Sequence, residues 1–540
     1  MSSSIGRFST ICTILIIALI CLPCGNYRWF LAYVCEFLII LQITGLMKGR
    51  LHKCALFIRF LYGLVLSCQL ASILMSGNAL SPLTLDNLTE ANVIGWENLA
   101  FSTTLVVACT LFSTFSDIPD VIYGWLCVIP VIFLFHNSAL YEFYKPVSLV
   151  ICEHLTTWKT RLSMSEDIRP LKKDALYSDN NNNPFPRKKY NVIVIFVEGT
   201  SRAVLSPSLT PNLWGFMENS LYFTGYFNHT AATFRGLWGQ QTSFYQMQGG
   251  AHFTHDERNT FAKAQYDKLD LTHLPTLPDI LRSAGYRTYF QLSNTKNSRL
   301  AEVLDALRFD RIYTQDDVPP EQRVKWSVLT DLSDGDSFRL LWKNVQELHK
   351  SDSPFYYGLY TVGTHIGLDS PEIKYGDGSN PYLNKFHNMD AQFGKFLNSF
   401  QDSPIADDTI IVFTTDHASF PTPDFQQLFK TKSPYFVDEV PLIIYKKDST
   451  KTGPIEVSGR NSLDLAPTIM DMLGISQAPN MFLGCTLFDT DCTSSFDHLT
   501  TIGLEYYQTE RHHVAPAELT PRMERKVENI ETFGDVMLGW

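Results

Sequence analysis

Apolar positions along the chain follow two different rules. Before residue 140 they come in long runs, roughly Ile11–Pro23, Trp29–Met47, Cys54–Met75, Leu99–Ser116 and Val121–Phe135. Most approach the twenty or so residues a helix needs to cross a bilayer, so the pattern predicts five transmembrane helices within residues 1–137. The first run is the length of a secretory signal, but it lacks a good cleavage site and more runs follow at once. From Tyr190 the runs shorten to strand length and alternate with stretches of helical spacing. Strands are predicted at Asn191–Val197, Tyr286–Leu292, Phe355–Thr361, Thr409–Thr414 and Val440–Tyr445. The segments "LPTLPDILRSAGY" and "LNKFHNMDAQFGKFLNSF" read as helices between them, and "TIGLEYY" as a late strand. This alternation predicts an α/β domain with a mainly parallel central sheet over residues 190–540.

Residues 138–189 join the two regions. Ser138–Ser163 mixes apolar and polar positions with Tyr141, Phe143, Tyr144 and Trp158, which suits a helix lying at the membrane interface. The stretch "SEDIRPLKKDALYSDNNNNPFPRKKY" is polar and turn-rich, a linker. Basic residues orient the spans. "KGRLHK" at 48–53 places that connection in the cytoplasm, whereas 76–98 carries Asp86, Glu90 and Glu97 without Lys or Arg. Five spans then leave the α/β domain on the extracytoplasmic side. Arg59, within the third run, is expected to snorkel. A net charge of −11 argues against a nucleic-acid partner. Eight of eleven cysteines belong to the apolar third; Cys485 and Cys492 are near enough in sequence to bridge in an oxidising compartment.

Chemistry gathers where strands end. In open α/β sheets ligands bind beyond the carboxyl ends of the strands. Asn191–Val197 runs straight into Glu198 within "FVEGTSRA", and Thr409–Thr414 leads to Asp416 and His417 within "FTTDHASF". Glu, Asp and His together offer a mixed oxygen and nitrogen set for a divalent metal. Between them lies "NHTAATFRGLWGQQTS", where Thr233 precedes a helix-like start and is a candidate nucleophile; Thr230, Thr242 and Ser243 compete with it. His365, in "YTVGTHIGLDSP", follows a third strand and suits proton transfer or a phosphate oxygen. "NLT" at Asn87 and "NHT" at Asn228 fit a glycosylation pattern, but a glycan on Asn228 would cover the candidate site, so both read as chance.

The ordered set "NVIVIFVEGTSRA", "LTPNLWGF", "LPTLPDILRSAGYRTYF", "DDTIIVFTTDHAS", "VPLIIY" and "SLDLAPTIMDMLGI" resembles the alkaline phosphatase/sulfatase superfamily across residues 190–475. With five preceding helices it is most similar to the lipoteichoic acid synthases, phosphoglycerol transferases and phosphoethanolamine transferases. That resemblance implies a bacterial inner-membrane enzyme with its catalytic domain in the periplasm. Such an enzyme takes a phospho-alcohol headgroup from a membrane phospholipid, holds it on a Thr, and passes it to an envelope glycan or glycolipid. Carried over by motif, Glu198, Thr233, Asp416 and His417 bind a divalent metal, Zn or Mn, with Thr233 as nucleophile. His365 and Arg299, in "NTKNSRLAEVLDALRFDRIY", bind substrate. The chain departs from the pattern at Gly363, where Ser is usual, and by lacking a Trp just before Arg299. Three rival readings remain: a sulfatase, disfavoured because residues 153–484 contain no Cys; a phosphodiesterase with water as acceptor; and an inactive lipid-sensing relative.

Overall fold

The computed structural model describes residues 2–23, 27–47, 51–76, 79–80, 96–117, 137–144, 147, 173–177, 182–245, 275–326, 331–431, 433–489, 496, 498–502, 505–518, 520–521, 523–524 and 526–527. They fall into two compact units, Met1–Thr160 with Pro421–Leu428, and Arg161–Phe420 with Phe429–Trp540.

Among the described residues the first unit includes the long helices α1 (Ser2–Cys21), α2 (Tyr27–Gly45), α3 (His52–Ser76) and α4 (Trp96–Phe115). Two apolar stretches, Tyr27–Gly45 and His52–Leu74, are long and apolar enough to cross a bilayer; Ile5–Cys21 and Ser102–Phe115 are shorter. Of the five expected spans, two meet the length and hydropathy requirement among the described residues. Three serines open α1, and Ser102, Thr103, Thr104, Thr110 and Ser113 break up the apolar character of α4. The expected fifth span, Val121–Phe135, and most of Ser138–Ser163 lie outside the described residues. Along α1, Phe8, Ile11, Leu15 and Leu19 form an exposed apolar stripe at helical spacing. Arg59 reaches the helix ends, its Nε donating to Thr44 Oγ1 at 2.7 Å and its Nη1 to the Ser116 carbonyl.

The second unit is built on an eight-stranded sheet. Its strands are β2 (Asn191–Val197), β3 (Leu221–Phe227), β4 (Arg287–Gln291), β5 (Arg311–Tyr313), β6 (Phe355–Thr361), β7 (Thr409–Thr415), β8 (Ile443–Lys446) and β9 (Gly453–Asn461), in the order β5-β4-β6-β2-β7-β8-β3-β9. Only β8 runs against its neighbours. A short β1 (Lys173–Ala175) pairs with β10 (Gln477–Asn480), and β11 (Leu499–Ile502), β12 (Glu505–Glu510) and β13 (His513–Pro516) make a separate antiparallel sheet. The sheet is therefore mainly parallel, as the apolar runs imply. The expected strand at Val440–Tyr445 begins later, at Ile443, because Val440 instead donates its N–H to the Tyr226 carbonyl outside the ladder.

Every residue of β2, β6 and β7 is buried, which explains why their sequences are continuous apolar runs rather than alternating ones. Val192, Val194 and Phe196 enter a core shared with Leu237 and Ile469. On the other face Phe413, in register with Ile195, meets the Phe393 ring with centroids 5.1 Å apart. Phe393 belongs to α10 (Pro381–Gln401), which packs beside α9 (Asp334–Leu348). The same helix fixes α5 (Pro211–Glu218). The buried Asp390 carboxylate accepts N–H bonds from Leu213 at 2.7 Å and Asn212 at 3.2 Å, satisfying donors that the first turn of a helix leaves free. Asp390→Ala should orphan both, lowering stability by about 1–3 kcal/mol. Urea unfolding would show this as a reduced midpoint at unchanged slope; an unchanged midpoint would contradict it.

Candidate active site

The registers place three strand ends level. Val197 pairs with Thr361 of β6 on one side and with Thr415 of β7 on the other. The residues that follow, Glu198 and Asp416, therefore leave the sheet side by side, with His417 next and the His365 turn opposite. The turn after β2 is stitched to the turn after β7. Thr415 Oγ1 accepts from Thr200 N at 3.0 Å and donates to the His417 carbonyl at 2.8 Å. The amides of Ser201 and Ser419 each donate to the other's hydroxyl at 3.0 Å. Gly199 has φ +49, and a Cβ there would come 3.4 Å from the His417 ring. The small polar residues after Glu198 are thus what two adjoining turns need to lock together.

Each of Glu198, Asp416 and His417 has one polar atom engaged and one left over. Glu198 Oε2 accepts from Thr233 Oγ1 at 3.0 Å and from the Tyr360 hydroxyl. Asp416 Oδ1 accepts the N–H groups of Gly199 and His417, both at 2.8 Å. His417 Nδ1 bonds the Ala418 carbonyl at 2.7 Å. Glu198 Oε1 and Asp416 Oδ2 are buried without a hydrogen-bond donor, and they stand 3.3 and 3.5 Å from His417 Nε2. These three atoms converge within 4.8 Å of one another. A ligand His commonly has its other nitrogen bonded to a carbonyl, which fixes the ring and its tautomer. The donor set, two hard oxygens and one imidazole nitrogen, fits a divalent cation of the Zn or Mn type.

The electrostatics point the same way. Burial works against the Glu198 charge, but the facing His417 imidazole and the Tyr360 hydrogen bond hold its carboxyl well below the usual range. Burial and the Glu198 charge push Asp416 up. Burial opposes charge on His417, yet the two carboxylates outweigh it and hold the imidazole up at about 9. Protons thus occupy the ion-free site, and a bound cation would displace them.

Thr233 opens α6 (Thr233–Thr242), is half-buried, and donates its hydroxyl to Glu198 Oε2. Its rivals are turned elsewhere. Thr230 Oγ1 bonds the Ala231 carbonyl at 3.3 Å, Thr242 Oγ1 the Trp238 carbonyl at 2.9 Å, and Ser243 Oγ the Leu463 carbonyl at 2.8 Å. His365 Nδ1 bonds the Ile366 carbonyl at 2.8 Å, Nε2 has no hydrogen-bond partner among the described residues, and burial lowers the pKa while Glu198 acts in the opposite sense. Arg299 is the first residue of α8 (Arg299–Asp305), which packs beside α6; Ser298 caps that helix, its Oγ accepting from Ala301 N. The Gly363 departure has a steric reason: a Cβ there would lie 2.3 Å from the Asp334 carboxylate oxygens, one of which accepts the Gly363 N–H at 3.2 Å. Tyr360 was not singled out in the sequence, because a Tyr within a buried strand reads as core. Asn228 is buried, its amide donating to the carbonyls of Thr230 and Phe436, so no glycan fits there. Cys485 is disulfide-bonded, and Cys492 lies outside the described residues.

Helix α6 can approach only because of Gly236, where a Cβ would sit 2.1 Å from the Asp416 carbonyl oxygen. Gly236→Ala should therefore push the start of α6 off the site and cost about 1–3 kcal/mol. Thermal unfolding would register this as a lower Tm, and a wild-type Tm would show that the contact is not tight.

Comparison with known proteins agrees with this geometry. A family described as Sulfatase matches residues 190–475, more than half of the chain. Phosphoglycerol transferase I of Shigella flexneri is 26% identical over 324 residues, covering 56% of this chain and 39% of that protein. Its counterpart in Escherichia coli strain 55989 is 25% identical over 322 residues. The match thus spans about two fifths of those relatives' length. Among solved structures, the lipoteichoic acid synthase LtaP of Listeria monocytogenes superposes with a TM-score of 0.53 at 20% identity, covering 69% of this chain and 98% of that one. A Vibrio parahaemolyticus protein of the alkaline phosphatase superfamily gives 0.54 at 18%, covering 70% and 93%. The chain belongs to the sulfatase family of the alkaline phosphatase superfamily.

Proposed function

We propose that this protein is a metal-dependent transferase that moves a phospho-alcohol headgroup from a membrane phospholipid, through phospho-Thr233, to an envelope glycan or glycolipid. The observation that carries the reading is the convergence of Glu198 Oε1, Asp416 Oδ2 and His417 Nε2 beside the Thr233 hydroxyl, which is bonded to Glu198. A divalent cation held there, Zn or Mn, would lower the pKa of that hydroxyl and offset charge on phosphoryl oxygens. The named relatives are phosphoglycerol transferases, so glycerophosphate is favoured over phosphoethanolamine.

The chain's own residues divide the work. Thr233 Oγ attacks phosphorus, and the bond to the diacylglycerol oxygen breaks. Net, the Thr233 proton passes by way of Glu198 Oε2, its partner in the structure, to the departing alkoxide. His365, neutral and with Nδ1 tied to a carbonyl, relays that proton at Nε2. In the second half the acceptor hydroxyl attacks phosphorus, Thr233 departs, and the acceptor's proton replaces the one Thr233 lost. Arg299, opening the helix beside α6, binds the headgroup phosphate. The apolar helices keep the catalytic unit at the bilayer that contains the donor, with that unit on the periplasmic side of the bacterial inner membrane. The exposed stripe of α1 faces lipid on this reading. An inactive relative would have no need to keep unpaired buried carboxylate oxygens aimed at one point.

The full chain, incubated in detergent with phosphatidylglycerol and phosphatidylethanolamine, should gain a glycerophosphate adduct on Thr233, seen by intact mass. Thr233→Ala should gain none. An adduct that persists in Thr233→Ala would move the nucleophile; diacylglycerol release with no added acceptor would favour hydrolysis.

A further inference from the structure

Helix α10 brings one more charge to this edge of the sheet. Lys385, in its second turn, is 3% exposed. Its ammonium lies 4.5 Å from the Tyr382 ring centroid and 5.3 Å from that of Phe386. Nζ donates to the backbone carbonyl of His365 at 3.1 Å. Among the described residues no carboxylate reaches ion-pair distance of it; the negative charge acting on it is that of Glu198. Lysines are almost never fully buried unless paired, and a buried ammonium is costly without a counter-ion. The carbonyl and the two rings hold the Lys385 ammonium, but among the described residues no carboxylate is there as its counter-ion.

The charge count at the site supplies a reason. Glu198 and Asp416 together neutralise a divalent cation. A phosphodiester and an ionising Thr233 then bring net negative charge to a site whose His365 is held neutral by burial. Phosphoryl transfer depends on compensating that charge in place.

We propose that Lys385 is a phosphate-binding residue of this site, holding the His365 turn through its carbonyl and taking the substrate's phosphodiester as its missing counter-ion. This rests on the phosphotransferase reading above. Sequence alone could not find it, because a Lys on an amphipathic helix is ordinarily solvated.

The test uses the full chain in detergent with manganese. The probe is glycerophosphoglycerol, the proposed donor's headgroup diester without its acyl chains, followed by titration calorimetry. Wild type should bind it, Lys385→Met about ten-fold or more weakly, and Lys385→Arg close to wild type. A second readout needs no variant. Burial lowers the Lys385 pKa to about 7, so at pH 8 the free residue is largely neutral, and an arriving anion should recharge it. Binding at pH 8 should then take up close to one proton, read from the dependence of the heat on buffer, and less at pH 6. The other titratable groups facing Nζ are Glu198, His365 and the Tyr382 hydroxyl; uptake that persists in Lys385→Met would assign the proton to one of them and overturn the proposal. Equal affinity of wild type and Lys385→Met would also overturn it while leaving the transferase reading intact. No binding to wild type would remove both.

Discussion

Two carboxylates buried side by side are the constraint around which this site is built. Glu198 and Asp416 end adjacent parallel strands, so the level register of β2, β6 and β7 delivers both to one point. Taking such charges from water is expensive, and their mutual repulsion adds to the cost. The surrounding structure offsets only part of it. Tyr360, Thr233 and two backbone amides satisfy one oxygen of each, and His417 faces the other two. On the proposed reading a cation completes the remaining atoms, and Gly199, Gly236 and the Thr415 hydroxyl let three chain segments pack around that point.

Much of this was legible before any coordinates. A strand buried on both faces must be apolar throughout, so β2, β6 and β7 announce themselves, and the first polar residue after each marks the functional edge. Glu198, Asp416 and His417 directly follow β2 and β7, His365 lies in the turn after β6, and the structure brings the first three together. The strands that escaped notice are less regular. β3 and β9 share a register shift at Gly225, where φ is +66, and β9 alternates exposed and buried positions along its first half. β5 is three residues long. Helix α9 carries Phe338, Leu341 and Val345 at helical spacing, a signal present in the sequence but not used.

Choosing among hydroxyls needed geometry. Spacing left Thr230, Thr233, Thr242 and Ser243 open; only the direction of each Oγ separates them. Tyr360 and Lys385 were hidden for opposite reasons, one looking like core and the other like surface. In the apolar third, serine and threonine within α1 and α4 shorten the apolar stretch of each, so among the described residues α2 and α3 carry the clearest span signal.

A count of bound divalent metal is the most direct test. Full-length protein would be stripped with chelator, dialysed against zinc or manganese, and analysed by elemental mass spectrometry. One equivalent in wild type, lost in both Glu198→Gln and Asp416→Asn while thermal unfolding shows a folded protein, is the expected result. No stoichiometric metal in wild type, or one equivalent retained when both carboxylates are changed, would contradict a cation site at these strand ends.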